Sequence, residues 1–337
     1  MPTIDARQPA TLWVDQAVAI LRRGGLVAFP TETVYGLGAR ALDRDAIARV
    51  FEAKGRPRAH PLIAHVLGAT EARAISASWP SSADRLARAF WPGPLTLVVP
   101  RAAQVPPEIA GGSDSIAIRS PSHPVARTLL AALGEPIAAP SANTYQSISP
   151  TTAAHVARSL GDRVDLILDG GPCEAGIEST VVDVRGRVPL LLRPGALDLV
   201  TLQRVEPATA VPDSVDSAED DSRPSPGMDR RHYAPRTPLH VARTRTAALD
   251  EAHLRQARGE HVALLLVSPL DTPVGSVVRV VVLGPSPEGY AHGLYAALHD
   301  LDDLRPPASV ILVEPVPAAA AWYAISDRLR RAATPVT

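Results

Sequence analysis

The sequence predicts an α/β protein in two parts: a domain with a mixed, twisted sheet, then a smaller three-layer α/β domain. Three observations predict it. Short apolar runs such as Leu95–Val99 and Ser115–Ile118 have the length of buried strands. Helical patterns lie between such runs without strict strand–helix alternation, which argues for a mixed rather than a purely parallel sheet. The 337 residues, 46% hydrophobic and 20% charged, exceed one average domain and can bury a sizeable core.

Taken in order, residues 12–23 read as a helix with Trp13, Ala17, Ile20 and Leu21 on one face. Thr11 is the expected N-cap, and Gly24-Gly25 end the helix. Leu26–Phe29 is a short buried strand stopped by Pro30. A second helix runs from about Arg44 to Lys54, capped by Asp43 and ended by Gly55. A strand is expected just beyond Pro61. Further strands are expected at Leu95–Val99, Ser115–Ile118, Ile137–Ala139, Leu166–Leu168, Thr180–Val184 and Leu190–Arg193, with helices at 82–90, 123–133 and 151–160. These elements make a first domain over residues 1–205. Residues 206–238 change character: an acidic polar stretch, Asp213–Ser222, precedes a segment, 224–235, that gathers cations, His232 and Tyr233. They read as a linker. A domain over 239–337 follows, with strands at Leu239–Ala242, Val262–Val267, Val277–Leu283 and Val310–Val313. Its helices are expected at Ala247–Arg258, Gly289–Leu301 and Ala319–Ala332.

Composition narrows the function. A net charge of −1 argues against a protein whose main business is coating nucleic acid. Cys173 is the only cysteine, so no internal disulfide forms and a reducing compartment is expected. No basic segment leads into an apolar run, and no stretch has the roughly 18 apolar residues of a membrane span; a cytoplasmic protein is expected. A Walker A loop needs Gly-Lys-Ser/Thr, but the sole lysine, Lys54, is followed by glycine. Gly36-Leu37-Gly38 lacks the third glycine of a dinucleotide fingerprint. His60 and His65 stand off the i,i+4 spacing of a helical zinc motif, so no metal site is read here.

What remains is a set of polar strand ends. Lys54 is the chain's only lysine, which points to a site wanting a compact ammonium; a helix C-terminus welcoming any cation is the plainer alternative. Spacing puts it on the apolar face with Ile47, Val50 and Phe51. Pro30–Gly38 leaves a strand with two threonine hydroxyls, a carboxylate and a phenol. Ala139–Asn143 holds the only asparagine, and Ser147–Thr151 offers three hydroxyls before a helix. Gly176–Asp183 and Arg193-Pro194-Gly195 repeat the pattern. Hydroxyls, isolated cations and glycine-rich backbone suit a triphosphate and a small zwitterion better than a Ser-His-Asp hydrolase.

These motifs together resemble the YrdC-like family of L-threonylcarbamoyladenylate synthases over about residues 12–200, and the remainder resembles its long, two-domain form. The marks are Phe29–Gly38, Lys54-Gly55-Arg56-Pro57, Trp91–Thr96, Arg119 with His123-Pro124, Pro140–Asn143, Ser149-Pro150-Thr151, Glu178–Asp183 and Arg193-Pro194-Gly195, then Ser225–Met228 and Arg231–Pro235. The resemblance implies a YrdC-like fold with a Rossmann-like second domain. It implies a nucleotidyltransferase making threonylcarbamoyl-AMP and pyrophosphate from L-threonine, bicarbonate and ATP, and a partner complex that passes the product to tRNA. By motif, Lys54 and Arg56 are expected to be catalytic. Thr33, His65, Arg119, the backbone at Ala139 and Ser179 are expected to hold threonine. Arg56, His60, Ser115, Ser141, Asn143, Ser149, Arg193 and Tyr233 are expected to hold ATP, with magnesium beside it. Segment 224–235 is expected to fold over the nucleotide. His60 departs from the family's usual asparagine, and Tyr145-Gln146 from its Ser-Gly pair. A non-catalytic RNA-binding module of the same fold is the alternative; strong direct nucleic-acid binding is not expected from the near-neutral charge.

Overall fold

A computed structural model describes residues 2–212, 231–270, 275 and 278–334. The chain divides into two compact units, Met1–Tyr145 with Ser149–Met228, and Gln146–Ile148 with Asp229–Thr337. The acidic run 213–222 and the motif Ser225–Met228 lie outside the described residues.

The first unit comprises β1 (Thr3–Asp5), α1 (Val14–Arg22), β2 (Val27–Phe29), β3 (Gly36–Arg40), α2 (Arg44–Lys54), β4 (Ile63–His65), α3 (Ala69–Ala74), α4 (Ser81–Phe90) and β5 (Leu95–Pro100). It continues with β6 (Ser115–Arg119), α5 (Pro124–Leu133), β7 (Ile137–Ala138), α6 (Ala153–Leu160), β8 (Leu166–Asp169), β9 (Thr180–Asp183), β10 (Leu190–Arg193) and α7 (Leu199–Val205). The strands form one sheet in the order β1-β8-β2-β3-β7-β4-β6-β5-β9-β10. Pairs β1–β8, β2–β8, β4–β6 and β5–β9 are parallel, whereas β2–β3, β3–β7, β4–β7, β5–β6 and β9–β10 are antiparallel. The mixed sheet is as the broken alternation predicts.

Local chemistry explains most boundaries. Asp43 caps α2 by accepting from the Asp45 and Ala46 amides, and Gly55 ends it at φ +63°. The expected Thr11 cap is not made: α1 begins after Trp13, because residues 10–12 close a 3-10 turn and the Trp13 ring is buried in the core. Gly36–Arg40, not among the expected strands, is strand β3, with Gly38 opposite Val27. A Cβ on Gly38 would meet Phe29 at 2.7 Å, so glycine lets the Phe29 ring lie across the neighbouring strand.

The two faces of this sheet are treated differently. One is covered from end to end: Ala28, Leu37, Ala64, Leu97, Ile118 and Val182 pack with the apolar sides of α2, α4 and α6. On the other, α1 and α5 cover β2, β7 and β8 through Val27, Phe29, Ile137, Leu166 and Leu168. The strands β4, β6, β5, β9 and β10 carry on that face only a small apolar cluster, Ile63, Val98, Ala117, Val181 and Leu192. Beside that cluster the side chains turn polar.

The second unit has β11 (Leu239–Val241), α8 (Arg245–Ala257), β12 (Val262–Leu266), β13 (Val278–Val282), α9 (Pro287–Asp302), β14 (Val310–Val313) and α10 (Tyr323–Ala332). Its strands form a parallel sheet in the order β11-β14-β12-β13. Val262, Leu264, Leu266, Val310 and Leu312 pack on Ala248 and Ala252 of α8. The last helix starts later than expected, since residues 320–322 form a 3-10 turn that buries Trp322.

Candidate functional site

Strand register assembles the first part of the site. His65 on β4 pairs with Arg119 on β6, Arg119 with Thr96 on β5, Thr96 with Val181 on β9, and Val181, across a β-bulge between Leu191 and Arg193, with Arg193 on β10. Register partners project from the same face, with adjacent strands about 4.8 Å apart. One row across the half-face left uncovered by α1 and α5 therefore carries an imidazole, two guanidiniums and a hydroxyl. The chain order separates these residues widely; the sheet lines them up.

Ser179, just before β9, is fixed from two sides. Its Oγ lies 2.7 Å from Thr96 Oγ1 and accepts from Arg193 Nη2 at 3.1 Å, while its carbonyl accepts from the same nitrogen at 2.9 Å. The approach requires glycine at 195: a Cβ there would meet Thr180 N at 2.4 Å and Glu178 O at 2.5 Å. Ser149 donates to Glu178 Oε1 at 2.6 Å.

The turn after β2 meets the end of β6. Arg119 Nη1 donates to Thr33 Oγ1 at 2.8 Å, and Nη2 lies 2.8 Å from Glu32 Oε1. Thr31 and Thr33 share a hydroxyl contact of 2.9 Å, and Thr31 donates to Val34 O at 2.7 Å. Burial pushes the Glu32 carboxyl up, but the charge and hydrogen bond of Arg119, with main-chain N–H groups, hold it net below the ordinary value. His65 goes the other way: burial, reinforced by Arg119, lowers its pKa to about 3. The imidazole is therefore neutral beside the Arg119–Glu32 ion pair, with Nδ1 3.2 Å from Ile63 O.

A second group forms around the end of α2. Lys54 is on the buried face, as spacing predicts, and only 3% exposed. Its ammonium donates to Ser141 O and Asn143 O, each at 2.5 Å, and lies 3.4 Å from Asn143 Oδ1. Lys54 O in turn accepts from the Tyr145 amide at 2.9 Å. Burial, then the charges of Arg56 and Arg163, lower the lysine's pKa well below its ordinary value. Arg56 lies 5.8 Å from the centroid of the Tyr145 ring and donates to Pro61 O at 3.2 Å; His60 meets the same ring edge-on at 5.5 Å.

Several expected residues take more particular places. The amide of Ala139 donates to Ile63 O at 2.9 Å. Ser115 opens β6, four residues and thus roughly 13 Å from Arg119 along the strand. It shares a 2.9 Å contact with Ser113. Tyr233 belongs to the second unit, at φ +62°, with Tyr295 at 5.7 Å between ring centroids and the Arg328 guanidinium 5.2 Å from its own ring centroid. Sequence reasoning assigned no role to Thr31, Glu32, Thr96 or Glu178, although each lay inside a quoted motif. Hydroxyls and carboxylates next to assigned residues were the available signal.

Among the described residues, no group of three or more His, Cys, Asp or Glu side chains is placed to hold a metal ion. No helix among them is long and apolar enough to cross a membrane.

Comparison with known proteins follows this geometry. Residues 19–195 match the family model described as "Telomere recombination", and residues 199–334 the model described as "Threonylcarbamoyl-AMP synthase, C-terminal domain". The chain is 39% identical over 335 residues to the threonylcarbamoyl-AMP synthase of Pyrococcus abyssi, covering 98% of this chain and 96% of the relative. It is 39% identical over 326 residues to that of Bacillus subtilis, covering 95% and 92%. The crystal structure of the P. abyssi protein complexed with L-threonine superposes with a TM-score of 0.89 at 39% identity, over 98% of this chain and 97% of that one.

Proposed function

The chain belongs to the threonylcarbamoyl-AMP synthase family, and from that premise we propose how its residues divide the work. It is a nucleotidyltransferase-type enzyme making threonylcarbamoyl-AMP and pyrophosphate from L-threonine, bicarbonate and ATP. Arg119, Thr33, His65, Ser179 and the backbone at Ala139 receive threonine. Lys54, Arg56, His60, Ser141, Asn143, Ser149, Arg193 and Ser115 receive ATP, with Lys54 and Arg56 nearest the reacting phosphate.

The chemistry asks for placement more than covalent help. Bicarbonate takes up a proton and loses water to give carbon dioxide, which the neutral threonine amine attacks, forming a carbon–nitrogen bond and releasing a proton. A carbamate oxygen then attacks the α-phosphorus in line with departing pyrophosphate. Arg119 suits the threonine carboxylate, since a guanidinium makes charge-assisted hydrogen bonds to it. Neutral His65 and the Thr96–Ser179 hydroxyl pair suit the threonine hydroxyl, and an amino acid lacking that hydroxyl would leave them unpaired. Magnesium would accompany ATP, with the Ser149–Glu178 pair offering hard oxygen donors to hold it, and when bound it would supply neutralisation of phosphate charge. A tRNA-side complex consumes the product, and the cytoplasm is the proposed compartment.

The observation that best supports this allocation is the row His65–Arg119–Thr96–Arg193 on one half-face of the sheet. The test is pyrophosphate release with threonine, bicarbonate and ATP withheld in turn; activity surviving without threonine refutes the reading. Lys54→Ala and Arg56→Ala should abolish release while the protein stays folded, and unchanged turnover in both contradicts their assignment.

A further inference from the structure

Arg119 is buried and carries five N–H donors in a rigid fork. Its Nη1 donates to Thr33 Oγ1 and its Nη2 to Thr31 Oγ1 at 3.5 Å, while Glu32 Oε1 lies 2.8 Å from Nη2 as an ion pair without a hydrogen-bonding angle. The Nε–H, equally enclosed, has no acceptor in the protein. A buried guanidinium N–H with no acceptor is costly to leave unpaired, and so marks the direction from which a ligand acceptor is missing.

Glu32 stands at the Nη end of that fork. It is 5% exposed, and its second oxygen accepts from the Ser122 amide at 3.1 Å, while its main-chain carbonyl accepts from the Ala175 amide at 2.7 Å. Its carboxylate therefore ties the turn after β2 to the residues after β6 and, through its backbone, to the segment before β9. It also cancels the guanidinium charge in a place poorly solvated by water. A neutral ion pair in a buried pocket accepts a net-neutral ligand cheaply, whereas a simple anion arrives with a charge nothing there offsets.

We propose that Glu32 is a positioning and specificity residue: it holds Arg119 with its Nε edge toward the amino-acid carboxylate, and it makes the pocket select a zwitterion over an anion of the same shape. This rests on the reading that Arg119 receives the carboxylate of threonine. The Thr31–Thr33 hydroxyl pair assists by fixing the other edge of the fork.

The test compares the full chain with Glu32→Gln, Glu32→Asp and Arg119→Lys by calorimetric titration. The ligands are L-threonine, ATP, and 2,3-dihydroxybutanoate, which is threonine with its amine replaced by a hydroxyl. In Glu32→Gln, threonine affinity should fall about ten- to a hundred-fold, the usual range when the residue fixing a ligand-binding group is lost. ATP affinity should hold, and the hydroxy acid should gain relative to threonine. Glu32→Asp, which keeps the charge, should recover the preference for threonine even where it loses affinity. A merely structural role for Glu32 predicts weaker binding of both acids in step, and that result overturns the proposal. Wild-type threonine affinity in Glu32→Gln overturns it too. If Arg119→Lys also binds threonine normally, the assignment of Arg119 itself falls; if only Glu32→Gln does, the positioning claim alone is lost.

Discussion

Replacing Lys54 by methionine removes the ammonium and keeps most of the volume. The lysine is 3% exposed and its three oxygen neighbours, Ser141 O, Asn143 O and Asn143 Oδ1, are all uncharged. Burial and the charges of Arg56 and Arg163 depress its pKa in the folded state, against an ordinary value of 10.5. The unfolded chain therefore binds the proton more readily than the folded one. Between the depressed value and 10.5 the unfolded state carries one more proton, so folding stability rises with pH by about 1.4 kcal/mol per pH unit. Lys54→Met has no such proton. The lost hydrogen bonds to the loop shift its stability by an amount that does not depend on pH. The difference, wild type minus Lys54→Met, should thus climb with pH on the acid side of 10.5, by at most about 1.4 kcal/mol for each unit. Urea unfolding followed by the fluorescence of Trp13, Trp79 and Trp91, all in the first unit, measures it. A difference flat with pH would refute the argument, because it would mean that the carbonyl oxygens keep the ammonium charged despite burial. Added ATP should flatten the slope in wild type, since phosphate restores the proton.

Gly195→Ala should lower threonine affinity at least about tenfold by pushing residues 178–180 away, with steady-state KM for threonine as the measure; an unchanged KM would show that the backbone yields without moving Ser179. Thr96→Val, which deletes the 2.7 Å partner of Ser179, should raise KM for threonine several-fold and reduce discrimination against valine; equal loss with both amino acids would count against a role near the hydroxyl. The Glu32 carboxyl is depressed in the folded protein, so its stabilising contribution is complete above the ordinary value of 4.5 and disappears as pH falls through the lower folded value. Acid unfolding of wild type and Glu32→Gln should converge in that window, and curves that stay parallel would contradict the pairing with Arg119.

Much of the fold was legible because it is written locally. Helix α2 shows this best: Asp43 caps it, Gly55 ends it, and the period of Ile47, Val50 and Phe51 places Lys54 inside. Where the reading missed, a non-local effect had won. The start of α1 was displaced from Thr11 by the burial of Trp13 in the core. Strand β3 was not among the expected strands because glycine is a poor strand former, whereas here Gly36 and Gly38 make room for Ala139 and Phe29 across the sheet.

The candidate site divides in the same way. Short motifs named most of its members, since hydroxyls, glycines and lone cations at strand ends are visible in a string of letters. Glu32 escaped, because a carboxylate between two threonines looks like an ordinary turn until Arg119 arrives beside it.

The caps of α2 and the residue types at the strand ends were therefore set by the chain alone, through interactions spanning a few residues. The alignment of His65, Arg119, Thr96 and Arg193 in one row was decided only by the pairing of β4, β6, β5, β9 and β10. A strand's register depends on neighbours distant in sequence, and a slip of one residue would send each of those side chains to the opposite face.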